Sequence, residues 1–294
     1  MKRWMDLKTL LLLFTYIPWA GHTVITLASL FALSGSWHLL IVKGNHLPMK
    51  STGRTFMKMT RYAHLSPSDQ MKGLPAPPLE KAAPHDAVLI TLPKPDHIPV
   101  PALDLRAAIE SRRSVRRYRR DPLTLPELAY LLWCTQGIVH IEPPYFTLRN
   151  VPFAGGRHAF ETYLLINRVE GVDPGLYRYL AFSHSLIAVD TGAGAADRVM
   201  AACLGQAFVR SSAVTFLWSC AIYRMAWRYS ERSYRLVHLD AGHVGQNLYL
   251  AALQIGCGVC AIGAFDDELM ANLLEIDGEN EFILYCAAAG KMQE

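Results

Sequence analysis

What is scarce in this sequence narrows its reading first. Charged residues make up only 18% of the 294 positions, and from Thr9 to Val42 there is none. Cysteine is sparse as well: six thiols, set in apolar phrases such as Leu131-Leu-Trp-Cys134, with a single close pair, Cys257-Gly-Val-Cys260. A structural zinc site wants a second such pair and a disulfide scaffold wants denser spacing, so the thiols read as reduced and buried. No Gly-x-Gly-x-x-Gly follows a strand-like run, which argues against a dinucleotide-binding doubly wound sheet. The formal net charge of +4 is too small to define a partner. Hydrophobic residues at 51% exclude an intrinsically disordered chain.

Three zones follow one another. Residues 1–48 are an apolar N-terminal segment in which Pro18 and Gly21 interrupt the run. Thr23 to Val42 is as long as a bilayer-spanning helix. Lys2, Arg3 and Lys8 precede it and Lys43 follows, so the basic flanks set no orientation. A membrane anchor and a start-site artefact upstream of Met49 are equally compatible with this text; a cleaved signal is less so, since no small-residue cleavage site stands out. Residues 49–103 form a proline-rich arm, nine of the seventeen prolines lying between Ser66 and Pro101. Proline fixes φ and removes a donor, so this stretch is expected to be extended, as a lead-in or a wrapping arm. Residues 104–294 then carry the pattern of a folded α+β domain.

Within that domain, Leu105–Arg112 reads as a short helix capped by Asp104. Thr124-Leu-Pro-Glu127 has capping-box spacing and opens a helix that Gly137 stops. Strands are expected over 160–167, 176–181, 185–189, 213–220, 260–264 and 281–288, with a helix near 266–274. The longest helix is predicted over 234–255, where Val237, Ala241, Val244, Leu248, Ala252 and Ile255 recur on one face.

Between the first two helices lies Arg112-Arg-Ser-Val-Arg-Arg-Tyr118, and residues 112–120 contain six arginines. A basic run of this length usually marks a solvated face or a nucleic-acid patch. Here it sits between capped helices inside a domain and is interleaved with Ser114 and Tyr118. Guanidinium groups hold phosphate bidentately and a hydroxyl adds a donor, so the run reads as an anion-binding turn, with flavin phosphate one option among several.

The run resembles the signature that opens nitroreductase-fold flavoproteins. Further phrases are similar to SagB-type dehydrogenases, FMN-dependent azoline oxidases acting on ribosomally made peptides. These are 123–137, Ala154-Gly-Gly-Arg-His158 with Glu161-Thr-Tyr163, Gly175-Leu-Tyr-Arg-Tyr179, and Leu239-Asp-Ala-Gly-His-Val-Gly-Gln-Asn247. The resemblance implies a nitroreductase-like fold, with a central, mostly antiparallel sheet flanked by helices. It also implies FMN as cofactor and a homodimer. Arg112 and Ser114 should take phosphate and ribityl oxygens, Arg113 should line the site, and Arg116 should reach the pyrimidine edge. Gly155, Gly156 and Arg157 should pass close to the flavin ring. Ala261, Ile262 and Gly263 should lie on its other face, and Lys291 should be a second phosphate ligand. Phe153 stands where relatives commonly have Ser.

Flavin N5 accepts or donates hydride, so the protein must hold substrate over the ring and move one proton. In azoline oxidation a base takes the Cα proton while hydride leaves to N5. Relatives often carry Lys-Tyr just before the long helix; here the pair is Arg228-Tyr229. Arginine is a poor base, which leaves Tyr229 as acid or base beside Arg228. His158 and His243 are alternative proton carriers, and Gln246 and Asn247 are site or interface amides. Three functions are compatible with this text. One is a SagB-type FMN dehydrogenase working on a modified peptide. Another is an NAD(P)H-dependent nitro or quinone reductase. The last is a non-catalytic membrane-anchored or nucleic-acid-binding protein. The enzyme readings imply a small-molecule or peptide substrate, no nucleic acid and no metal. They place the chain in the cytoplasm, with residues 9–42 as the route to a membrane if it is used.

Overall fold

The computed structural model describes residues 51–293. The apolar run 9–42 and Met49 lie outside the described residues. Residues Lys50–Glu294 form one compact unit.

Its centre is a seven-stranded sheet. In chain order the strands are β1 (Leu89–Thr91), β4 (Phe160–Ile166), β5 (Gly175–Leu180), β6 (Ser185–Asp190), β7 (Val214–Ala221), β8 (Cys257–Ile262) and β9 (Glu281–Lys291). Their spatial order is β1-β6-β5-β4-β7-β9-β8, and every neighbouring pair is antiparallel. β2 (Ile138–Glu142) and β3 (Phe146–Arg149) make a separate hairpin. The architecture is the expected one, an antiparallel sheet flanked by helices.

All seven residues of β4 are buried, as are seven of the eight in β7. A strand covered on both faces has no wet side to fill with polar residues, which is why Tyr163-Leu-Leu-Ile166 and Phe216-Leu-Trp218 read as apolar runs instead of alternating. The pleat divides them. Leu164, Phe216 and Trp218 join one core with α3 (Leu125–Gln136) and α7 (Ser233–Gln254), through Leu128, Leu132, Val237, Val244 and Leu248. Leu165 and Leu217 face the other core with α4 (Ala195–Ala202) and α8 (Asp267–Leu274), through Val199, Ala202, Met270 and Leu274.

The caps lie where their residue types place them. Asp104 accepts the Ala107 N–H at 2.7 Å and opens α2 (Leu105–Ser111). Thr124 and Glu127 form the reciprocal capping box of α3. α7 spans 22 residues and differs from its predicted bounds by one residue at each end. Other boundaries moved further. β8 begins at Cys257, three residues before the predicted start, because Gly256 and Gly258 masked its strand character. β9 continues to Lys291 instead of ending at Ala288. Helices α1 (Thr52–Met59), α4, α5 (Phe208–Ser211) and α6 (Tyr223–Tyr229), the hairpin and the short β1 were not anticipated.

The arm is stitched to the sheet. Its carbonyls take the buried guanidiniums of the domain: Pro77 O from Arg157 Nη2 at 3.0 Å, Pro78 O from Arg224 Nε at 2.9 Å, and Ala82 O from Arg178 Nη2 at 2.8 Å. Proline suits this task, since a residue without an N–H leaves only its carbonyl to be satisfied. The Lys81 N–H donates to Glu161 at 2.7 Å, and Glu80 accepts the Ala181 N–H at 2.6 Å.

Candidate active site

The arginine run leaves α2 and crosses β8. Ser114 bridges Val259 in parallel, the Val115 N–H donates to Val259 O at 2.9 Å, and Tyr118 bridges Met292. Gly258 permits this approach, because a Cβ there would stand 2.6 Å from the Val115 side chain. Tyr118 anchors the far end, its hydroxyl donating to Val115 O at 2.7 Å and to Ala288 O at 3.1 Å. Burial pushes that phenol well above its usual range, so it serves as a neutral donor.

Between these anchors the exposed Ser114 hydroxyl meets the Tyr249 hydroxyl of α7 at 3.1 Å, and the Arg112 guanidinium lies over the Tyr249 ring, 5.0 Å from its centroid. Tyr249 also accepts the Ala261 N–H at 2.9 Å and so ties the arginine motif to the end of β8. The Arg116 guanidinium lies over the Phe208 ring, 6.0 Å from its centroid, and its charge pulls down the Cys260 thiol of β8, which burial raises more strongly. Gly263 looks onto open space, with nothing within 4 Å of where a Cβ would be. Arg112 and Ser114 thus meet at Tyr249 beside the end of β8, where Gly263 is exposed.

Other predicted members of this group are engaged elsewhere. Arg113 donates to Glu110 O at 2.9 Å and Arg112 O at 2.8 Å, closing the C-terminal end of α2. Lys291 pairs with Glu127 and donates to Ile255 O at 3.1 Å, while the Ile262 side chain is buried in the core. Arg119 pairs with Asp121.

A second cluster forms around the turn Ala154–Gly156. Gly155 and Gly156 have φ of 61° and 64°, the left-handed region that glycine enters without strain. A Cβ on Gly155 would lie 2.4 Å from the Tyr229 hydroxyl. Arg228 donates to Gly155 O at 3.3 Å. Tyr229 and Arg228 are thus brought onto the predicted glycine turn by α6, the helix that the sequence did not reveal. Arg157 is tied mainly into the protein interior. Its fully buried guanidinium lies over Trp227 and donates to the carbonyls of Pro77, Pro144, Tyr145 and Arg224, so four of its five N–H groups are spent inside the protein. His158 is buried and held neutral, its pKa pushed down to about 2 by desolvation and by Arg149, which unfits it to carry a proton. Asn247 ties Cys134 O and Asn150 O together at 2.9 Å each, and Gln246 is exposed.

Sequence reasoning passed over Asp240. It sits on the buried stripe of α7, three residues after Val237 and four before Val244, and accepts the Ala154 N–H at 3.1 and 3.3 Å. An acid within an apolar 3–4 spacing was the available signal. α7 serves both clusters, Asp240 behind the turn and Tyr249 behind the arginines. Nine residues separate them, about 14 Å along the helix axis. No hydrogen bond among the described residues joins the clusters directly.

All six cysteines are free, and Cys257 and Cys260 sit buried in β8. Among the described residues no cluster of His, Cys, Asp and Glu could hold a metal ion, and no helix is long and apolar enough to cross a membrane.

The Nitroreductase family profile matches residues 109–291. A protein of Methanocaldococcus jannaschii that carries the nitroreductase name, MJ1384, is 32% identical over 192 residues, 65% of this chain and 91% of its own length. The trifolitoxin-processing protein TfxB of Rhizobium leguminosarum bv. trifolii is 28% identical over 133 residues, 44% of this chain but only 36% of that protein. Among solved structures, a nitroreductase-type protein of Ralstonia eutropha JMP134 shares the fold with a TM-score of 0.58 at 24% identity, covering 75% of this chain and all of that one.

Proposed function

The chain belongs to the nitroreductase family, and from that premise we propose that it is an FMN-dependent oxidoreductase of SagB type. Its substrate on this reading is an azoline in a ribosomally made peptide, which it oxidises to the azole. The observation that carries the reading is the meeting of Arg112 and Ser114 at Tyr249, which holds the Ala261 N–H of β8, with the Arg116 charge acting on Cys260 of the same strand. A phosphate dianion is met by cations and a hydroxyl donor, which Arg112 and Ser114 supply side by side, and this supports the reading.

On this reading Arg112 and Ser114 hold the phosphate end, Arg116 reaches the pyrimidine edge, and the 261–263 backbone lines the ring. Lys291 stays with Glu127 and acts at most through its charge. When bound, FMN supplies a hydride acceptor, chemistry that no protein side chain offers. The chain's own contribution is position and proton movement. Tyr229, its hydroxyl against Gly155, takes the substrate proton, while Arg228 holds the Gly155 carbonyl so that the turn stays closed around the phenol. The similarity to TfxB, a trifolitoxin-processing protein, supports a peptide substrate.

Homodimer assembly goes with this reading. Leu105, Ile109, Val139 and Leu148 are 49 to 64% exposed, apolar side chains that this unit leaves in water. Leu105 also lines a groove of about 780 Å³ together with Tyr130, Trp133 and Leu250. Free thiols accord with a reducing, cytoplasmic setting.

The test is the absorbance spectrum of the purified full chain, followed by identification of the released cofactor. Flavin bands and FMN on release are expected. A colourless protein that stays so after FMN is supplied would sink the reading. Slow oxidation of a thiazoline peptide, with no bleaching by NADPH, is expected next; rapid bleaching by NADPH would replace the peptide substrate with a nitro or quinone compound.

A further inference from the structure

Asp240 is 4% exposed and lies in the wall between α7 and the Ala154–Gly156 turn. Both of its oxygens face the Ala154 N–H, which stands at the first residue of the turn. The turn is held from two other sides: Arg228 of α6 binds Gly155 O at 3.3 Å, and Gly156 N–H donates to Phe153 O at 3.2 Å. Gly156 leaves no room behind it, since a Cβ would come within 2.9 Å of Thr147 O on β3. Asp240 is thus the one carboxylate among the described residues that grips this turn from the helix. No ion pair to a basic residue forms at Asp240 among the described residues.

A carboxylate placed there is an odd choice if only a hydrogen-bond acceptor were needed. Burial of an unpaired acid is costly, and an amide oxygen would accept the same N–H without that cost. What an acid offers here and an amide does not is a proton to gain or lose. We propose that Asp240 is the positioning residue of the site: its carboxylate draws the Ala154 amide inward, and its gain or loss of a proton resets the Gly155–Gly156 peptide against the Arg228–Tyr229 pair. The inference deepens the flavin reading and rests on it for its effect on turnover.

The surroundings suit such a device. Burial raises the Asp240 carboxyl to about 7, against the smaller opposing pull of the Ala154 N–H. The titratable and charged groups around it are few. Cys220 of β7 feels the Asp240 charge, and burial keeps that thiol protonated. His158, beyond the turn, is held neutral. Arg228 and Tyr229 of α6 reach the turn from its other side, and His243 lies exposed one helical turn along α7. Asp240 is thereby the group in this wall placed to change charge around neutral pH.

The test compares the wild type with Asp240→Asn, which keeps the shape and an acceptor for Ala154, and with Asp240→Ala. Two quantities are followed from pH 5.5 to 8.5: the amide 15N shifts of Ala154 and Gly155 in the flavin-free protein, and the rate of flavin reduction by substrate in the holoprotein. In the wild type both should inflect near pH 7. Asp240→Asn should fold, retain FMN and lose both inflections. Asp240→Ala should also lose the grip on the turn, retaining FMN about tenfold less well, the scale of one hydrogen bond to a charged group. An Asn variant that keeps either inflection would overturn the proposal, as would a wild-type Ala154 amide that does not titrate. If the wild type held no flavin the proposed function would fail, while the amide titration would still decide whether Asp240 controls the turn.

Discussion

At the scale of single residues, neighbours of one type do different work. Arg113 closes a helix end, Arg119 pairs with Asp121, and Arg116 lies over the Phe208 ring with its charge acting on Cys260. Arg116→Ala should therefore reduce FMN retention far more than Arg120→Ala, measured as flavin absorbance per chain after gel filtration. Equal losses would reduce the run to an electrostatic patch. Gly155→Ala should cost of order 1–3 kcal/mol, because it forces a side chain into left-handed backbone and drives a methyl against the Tyr229 hydroxyl. Urea unfolding would measure it, and a change within error would mean the turn is soft. The identity of the motif residues was legible in the sequence, but the division of labour among them was not. Arg157 shows why: the glycines before it suggested a ligand-facing turn, and only the buried carbonyls of Pro77, Pro144, Tyr145 and Arg224 reveal what its guanidinium satisfies.

At the scale of elements, the proline-rich strap and α6 belong together. Gln70 N–H donates to Trp227 O at 2.8 Å, Trp227 Nε1–H donates to Leu74 O at 2.9 Å, and Arg232 donates to Thr60 O at 3.0 Å. α6 in turn delivers Arg228 and Tyr229. Its Arg224 pairs with Glu161 of β4 at 2.5 Å, both almost fully buried, and the same carboxylate takes the Lys81 N–H of the strap. Removing one partner of a buried pair strands the other charge, so Arg224→Ala should destabilise the fold by about 3–5 kcal/mol. Chemical denaturation reads this directly, and a loss below about 1 kcal/mol, the scale of an exposed pair, would contradict the buried coupling. Caps and long amphipathic helices were readable because their signals are local. α6 was hidden because Tyr223-Arg-Met-Ala-Trp-Arg-Tyr229 has neither cap nor clean periodicity, and its register is set by the strap 153 residues earlier in the chain.

At the scale of the whole molecule, two outcomes are expected. Sedimentation should give a species of twice the chain mass, since exposed Leu105, Ile109, Val139 and Leu148 find water a poor partner. A monomer at micromolar concentration would remove the homodimer from the proposal. Stability should also depend on pH through Asp240. Its folded pKa of about 7 lies above the usual 3.8, so the folded chain binds the proton more tightly than the unfolded one. That contribution is in place below about pH 4 and declines as pH rises through 7. Melting temperatures of the wild type should accordingly fall from pH 5 to 8 relative to Asp240→Asn. Parallel curves for the two proteins would contradict the assignment.

The sequence by itself determined the α+β class, the helix caps, the buried strands and the arginine motif. These depend on neighbours three or four residues apart, or on runs of one polarity. Tertiary structure alone decided that Tyr249 joins Ser114 to Ala261, that Asp240 stands behind Ala154, and that the strap holds α6 in place. All but the Tyr249–Ala261 contact span a long stretch of chain, and local sequence pattern contains no signal for which distant group a buried donor or acceptor will find.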